Sequence, residues 1–160
     1  MKTLIPLAAV SLAFAVPALA QTMPAAAYVK SAGAGDLFER TSAKVVLETT
    51  TNPQVKSFAT MMLTDHGKST AMVKAAALKA KVKVAPPMLT ADQKEMIAQL
   101  RAATGAARDT TYIAQQKTAH DQALALQQGY AAEGTAVPLK TAAGKIVPVV
   151  QMHIKMLMAM

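Results

Sequence analysis

Residues 51–66 read TNPQVKSFATMMLTDH, and the fold follows from how that stretch is parsed. Asn52 directly before Pro53 puts a capping side chain ahead of a proline at the first helical position, where free amides need an acceptor and proline's missing N–H costs nothing. A helix therefore starts at Pro53, and the chain before it must turn. Downstream, Val55, Phe58, Ala59, Met62, His66, Ser69 and Val73 recur at steps of three and four, while Lys56, Lys68 and Lys74 fall off that line. This is the period of an amphipathic helix, running to about Lys81. Its apolar stripe carries a histidine at its middle.

Working outward, residues 28 to about 50 read as a helix, with Ala34, Phe38, Thr41, Val45 and Thr49 on one face and Arg40, Lys44 and Glu48 on the other. After Lys81 the pair Pro86-Pro87 stops helical continuation. Thr90 with Gln93 three residues on forms a capping box for a short helix, with Met96, Ile97, Leu100 and Ala103 inward and Gly105 as its closing residue. Residues 106–132 read as a fourth helix along Asp109, Ile113, His120, Leu124, Gln127 and Ala131, ended by Glu133-Gly134. A fifth begins near Pro138 and crosses Pro148, where one backbone bond is lost and a kink is expected. Alanine is abundant and β-branched residues are few, so no sheet is predicted.

Two helical hairpins, 28–81 and 106–158, are thus joined by a link of about 24 residues with its own short helix. The link must travel a bundle's length, and ~14 helical residues cover about 21 Å. The predicted fold is all-α: a ferritin-like four-helix bundle of two hairpins with a long crossover carrying a short extra helix. Measured from the first tip at residues 51–52, Glu39 lies about 12 positions before and His66 about 14 after. From the second tip at 133–134, His120 lies about 14 before and His153 about 19 after. All four fall in the middle third of the bundle, so every histidine of the chain is predicted to meet in one interior layer.

Two chemistries suit such a layer. A buried imidazole is costly unless its nitrogens find partners, so His66, His120 and His153 bonded to one another, Glu39, Asp65 or Tyr112 would fix helix register as a structural polar layer. That is the reading the residues favour. The alternative is one transition-metal ion on His66, His120, His153 and Glu39, with Asp65 beside them, a set that suits zinc or copper(II). A di-iron centre fits poorly. It needs Glu-x-x-His on two helices and two further glutamates, whereas Leu63, Lys117 and Val150 stand three before the histidines. No nucleophile sits in a recognisable catalytic turn and no glycine loop cradles phosphate, so an enzyme is not favoured. Asp65 and His66, adjacent on a helix, point about 100° apart and cannot form a dyad. Asp109 reads as a carboxylate at a helix start and Tyr112 as a boundary residue.

Past Pro148, in a segment that ends QMHIKMLMAM, Val149, Met152, His153, Met156, Leu157 and Met160 fall on one helical stripe. The methionines therefore read as flexible filler of a buried face, with a copper(I) or silver site as the rival.

Residues 1–20 read as a secretory signal: Lys2, an apolar run of 13 residues from Leu4 to Val16, and Ala18-Leu19-Ala20 with cleavage after Ala20. That run is short of the ~20 residues of a spanning helix, and no transmembrane segment is predicted in residues 21–160, which suit a single domain. The chain has no cysteine, so disulfides and thiolate sites are excluded. Without Lys2 it carries 16 basic and nine acidic residues, a formal +7. Weak, salt-screened contact with anionic envelope surfaces is compatible with that charge. Nucleic-acid binding is not favoured, since three Phe and three Tyr give no stacking platform.

The chain resembles an exported bacterial family catalogued as domain of unknown function 4142, regarded as ferritin-like, across about residues 27–158. The resemblance rests on Asp36-x-x-Glu39 with Ser42, on Asn52-Pro53-x-Val55-Lys56-x-Phe58-Ala59-x-x-Met62-x-x-Asp65-His66, and on Pro86-Pro87. Gly105-x-x-x-Asp109-x-x-Tyr112, His120, Leu139-Lys140 and Pro148-x-x-x-x-His153 continue it in order. Arg108 departs from the family's usual aromatic, and Lys83-Val84-Ala85 from its glycine-containing approach to the prolines. The resemblance implies an exported helical bundle and marks Glu39, Asp65, His66, Asp109, Tyr112, His120 and His153. It implies no activity. The expected role is that of a non-enzymatic envelope or stress-associated binding protein, the alternative that of a metal-binding or metal-storing one.

Overall fold

A computed structural model describes residues 22–160; the expected signal segment and its cleavage point after Ala20 lie outside the described residues. Five helices follow one another: α1 (Ala25–Leu47), α2 (Pro53–Lys79), α3 (Ala91–Ala102), α4 (Gly105–Glu133) and α5 (Val137–Met158). The described residues contain no strand, so the fold is all-α. The first turn forms as its residues dictate, since Asn52 Oδ1 accepts from the amides of Gln54 and Val55 at 2.9 and 3.4 Å. Thr90 and Gln93 complete the capping box from both sides. Gly134 caps the end of α4, where a Cβ would lie 2.5 Å from the Tyr130 carbonyl oxygen. α5 runs unbroken across Pro148.

α1 packs on α2 and α4 on α5, and contacts of α2 with α5 and of α1 with α4 close the ring. Directions follow from the ends. Past α1, Thr50 Oγ1 donates to Asp109 Oδ2 near the start of α4 at 3.0 Å, and Leu157 near the end of α5 joins Val55 and Phe58 at the start of α2. So α1 and α5 run toward this end, α2 and α4 away from it. Residues 80–104 return the chain along the bundle, with α3 laid on α1 and α4. This is the two-hairpin bundle with one long crossover that the sequence predicts.

Three local expectations are corrected. Gly105 does not close α3: it opens α4 at φ +54°, and α3 ends at Ala103 in extended conformation. Its last carbonyls are taken by Arg108, whose Nε donates to the Ala103 carbonyl at 2.8 Å and Nη2 to that of Arg101 at 3.3 Å. Of the expected line of α4, His120 and Gln127 are buried, but elsewhere the buried positions lie beside it: Tyr112 is fully buried, while Asp109, Ile113, Leu124 and Ala131 are half-buried. The expected Met stripe of α5 is likewise displaced. Val150, His153 and Leu157 face inward, while Val149, Met152 and Met156 are 37%, 44% and 36% exposed.

α2 ends in a Schellman turn, with Lys81 N–H bonded to the Leu78 carbonyl and Val82 N–H to that of Ala77. Lys81 sits at φ 56°, the left-handed region that glycine occupies without steric cost. Lys81→Gly is therefore expected to raise stability by about 0.5–1 kcal/mol in urea unfolding; a loss would show that the lysine side chain contributes more than the strain costs.

Candidate metal centre

The interior is two apolar clusters with a polar layer between them. Toward the first turn lie Ala43, Val45, Val46, Val55, Phe58, Met62, Leu100, Tyr112 and Leu157. At the other end Tyr28, Val73, Ala77, Tyr130, Leu139 and Ile146 form the second cluster, with the Tyr28 and Tyr130 rings stacked at 3.9 Å. Asp36, Glu39, His66, Gln116, His120 and His153 are all buried. The predicted layer exists: the His66 and His120 rings lie 5.7 Å apart, His66 and His153 5.7 Å, His120 and His153 5.3 Å.

What each imidazole does with its outer nitrogen decides the chemistry. His120 Nδ1 lies 2.9 Å from the Gln116 carbonyl oxygen, His153 Nε2 3.3 Å from Asp65 Oδ2, and His66 Nδ1 2.8 Å from Asp36 Oδ1. Carbonyl and carboxylate oxygens only accept, so each of these nitrogens carries the hydrogen. The other nitrogen of each neutral ring then bears a lone pair. His66 Nε2 is buried without a partner, and one nitrogen from each ring lies within 4.8 Å of the other two. His120 Nε2 and His153 Nδ1 are 3.3 Å apart, and with both outer nitrogens protonated that approach sets two lone pairs against each other. Metal-bound histidines have this wiring, the outer N–H fixed by a carboxylate or carbonyl and the inner nitrogen free to ligate.

One of the three separations suits an ion as it stands. Two nitrogens bound tetrahedrally at ~2.0–2.1 Å stand about 3.3 Å apart. The His120–His153 pair has that separation.

The carboxylates stand outside this group. Asp65 accepts from His153 and from Lys68 Nζ at 3.0 Å. Asp36 holds His66 and also accepts from Thr70 Oγ1 at 3.0 Å. Glu39 Oε1 is 3.7 Å from His120 Nδ1, the outer nitrogen, and Glu39 Oε2 and the Tyr112 hydroxyl are buried and unpartnered. Asp109 belongs to the turn contact with Thr50, far along the bundle from the layer. A cavity of about 300 Å³, lined in part by Asp36, Glu39, His66, Gln122 and Leu126, reaches the layer from between α1 and α4.

Burial sets the protonation. It drives His120 down to about 3 and lowers His153 against the pull of Asp65. For His66 burial works downward too, but the Asp36 bond and the charges of Glu39, Asp36 and Asp65 outweigh it and leave the pKa raised. Burial lifts Glu39 to about 7, against the smaller effects of His66 and Gln116. His120 and His153, whose pKa values burial lowers, bind fewer protons in the folded chain than in the unfolded one and make the metal-free protein gain stability as pH rises toward the unfolded histidine value of 6.5. Glu39 and His66, whose values are raised, work the other way: they keep protons the unfolded chain has lost, and their stabilisation fades as pH rises through their folded values. Urea midpoints in chelator should therefore decline as pH rises past the unfolded histidine value of 6.5; a flat profile there would contradict these assignments.

Sequence reasoning passed over Asp36 and Gln116 as parts of the layer. Asp36 shares a line with Ala32, Glu39 and Ala43, a second buried face of α1, on which His66 and Thr70 of α2 cover the carboxylate.

A family model described as Domain of unknown function (DUF4142) matches residues 11–160. No curated protein matches the chain significantly. Among solved structures, a Streptomyces coelicolor protein provisionally described as secreted, DUF305, superposes with a TM-score of 0.68 at 16% identity, covering 84% of this chain and 88% of its own. At that identity the likeness is one of fold.

Proposed function

We propose that this chain, which belongs to the family described as Domain of unknown function (DUF4142), is an exported metal-binding protein that holds one transition ion on His66, His120 and His153. One observation carries the reading: three buried imidazoles each bring a ring nitrogen within 4.8 Å of the other two, while the outer nitrogens of His120, His153 and His66 lie against Gln116, Asp65 and Asp36. A structural polar layer, favoured by the sequence alone, would pair inner nitrogens donor to acceptor. Here the inner pair is acceptor to acceptor, an arrangement a cation relieves.

Three imidazole ligands, His66 among them once the ion displaces its extra proton, select zinc or copper(II) over the oxygen-seeking magnesium and calcium. A fourth position stays open to water or another ligand, as in zinc sites with three protein donors. Asp36 and Asp65 supply negative charge beside the ion, and Glu39 adds to it above about pH 7. Export agrees with the signal-like residues 1–20 and with the provisional description of the Streptomyces coelicolor protein. No helix among the described residues is long and apolar enough to cross a membrane.

Calorimetric titration of metal-depleted protein with zinc and copper(II) tests the proposal. One equivalent should bind with a dissociation constant below about 1 µM, a free energy of about −8 kcal/mol or better. Absence of any ion bound at micromolar concentration sinks it. Asp36→Asn is expected to weaken binding about tenfold through lost basicity of His66, since outer partners of metal-bound histidines contribute 10–100-fold.

A further inference from the structure

The inner face of α5 is complete without its methionines: Leu139, Ala142, Ala143, Ile146, Val150, His153 and Leu157 are all buried. Met152 and Met156 stand one position round the helix and are 44% and 36% exposed, so core packing does not account for two thioethers there. Spacing places them on one face with Cβ atoms about 5–6 Å apart. Met160 follows four residues on, just past the end of α5 and half-buried against the cluster that holds Phe58. It lines the same surface depression as Met156, together with Pro53, Gln54, Ser57 and Phe58. In a chain with 17 lysines and arginines, no basic side chain lines that depression.

We infer that Met152, Met156 and Met160 form a second site, on the protein surface, for a soft monovalent cation such as copper(I) or silver(I). Thioethers select such ions and leave zinc and hard cations aside, and methionine's unbranched arm lets sulfurs on successive turns converge. The chain has no thiolate to compete for the ion. Phe58 separates this site from the imidazoles, since its ring forms part of the depression and lies 6.0 and 6.2 Å from the His120 and His153 rings. The thioether site stands independently of the metal centre proposed above; only its position as an outer station on the way to that centre rests on it.

Anaerobic titration with copper(I) against bicinchoninate tests the site, comparing the protein with a Met152→Leu/Met156→Leu/Met160→Leu variant, which conserves volume. The variant is expected to take up one copper(I) equivalent fewer, with zinc uptake unchanged. Equal copper(I) uptake by both proteins, or none by either, overturns the inference. Loss of the copper(I) equivalent in a protein that binds no zinc would uphold this site and reject the imidazole centre, so the two readings fail separately. Peroxide oxidation of the unaltered protein gives a second measurement. Silver(I) should slow sulfoxide formation at Met152, Met156 and Met160 at least tenfold while leaving Met88 and Met158, 73% and 79% exposed, unprotected. Equal rates with and without silver(I) count against the site.

Discussion

Replacing His120 with leucine is expected to weaken zinc and copper(II) binding at least about 1,000-fold while leaving the metal-free protein within about 1 kcal/mol of the parent. The two halves come from different physics. Zinc bound by a few protein ligands gains roughly 10–16 kcal/mol in small structural sites, so one of three imidazoles is worth ~4 kcal/mol, three powers of ten. Stability responds otherwise. The Gln116 carbonyl that accepts from His120 lies one helical turn back, where the backbone amide of residue 120 already serves it. His120 Nε2 faces another lone pair at 3.3 Å, so its removal leaves no donor stranded, and an apolar side chain of similar size restores burial beside Phe58. A structural layer with true inner hydrogen bonds would instead lose roughly 1–3 kcal/mol for each partner orphaned. Urea unfolding in chelator together with zinc titration reads both quantities. A variant that binds zinc normally but has lost several kcal/mol of stability would restore the structural reading.

How much of this was legible in the sequence varies with the range of the interaction concerned. Asn52-Pro53, the Thr90–Gln93 box and Gly134 act within one helical turn, and the chain folds there as those residues dictate. The histidine layer was legible for a geometric reason: residues equally far from a hairpin tip lie at equal height, and each further residue adds 1.5 Å. Rotation about a helix axis was less secure. One position is 100°, and Tyr112 moved from the expected edge of α4 to its centre because α4 packs on α1, α3 and α5 at once. The same shift exposes Met152 and Met156 and so reverses the expectation drawn from their spacing. Asp36 and Arg108 were the hardest to read. Each is a charged residue buried by partners distant in the chain: Asp36 by His66 and Thr70, Arg108 by Val45 and Thr49. Composition expects such residues at the surface, and only pairing across helices makes their burial possible.

Phe58→Ala is the substitution expected to cost most in stability. Its ring is 1% exposed and packs edge-on to Tyr112 at 6.3 Å and to His153 at 6.2 Å, so truncation removes large apolar burial and opens a cavity beside the imidazoles. Such replacements cost ~3–5 kcal/mol, out of a total of about 5–15 for a domain. Urea unfolding in chelator should show a loss of about 4 kcal/mol. A second effect separates simple packing from shielding. The cavity would join the depression lined by Met156 and Met160 to His120 and His153, giving water and chelators a short path to a bound ion. Zinc transfer to a chromophoric chelator is therefore expected to accelerate at least tenfold. Phe58→Leu, which keeps most of the wall, should transfer zinc at close to the parent rate. If Phe58→Ala unfolds easily yet releases zinc no faster than the parent, the ring is a packing element alone, and ions must reach the centre through the cavity between α1 and α4.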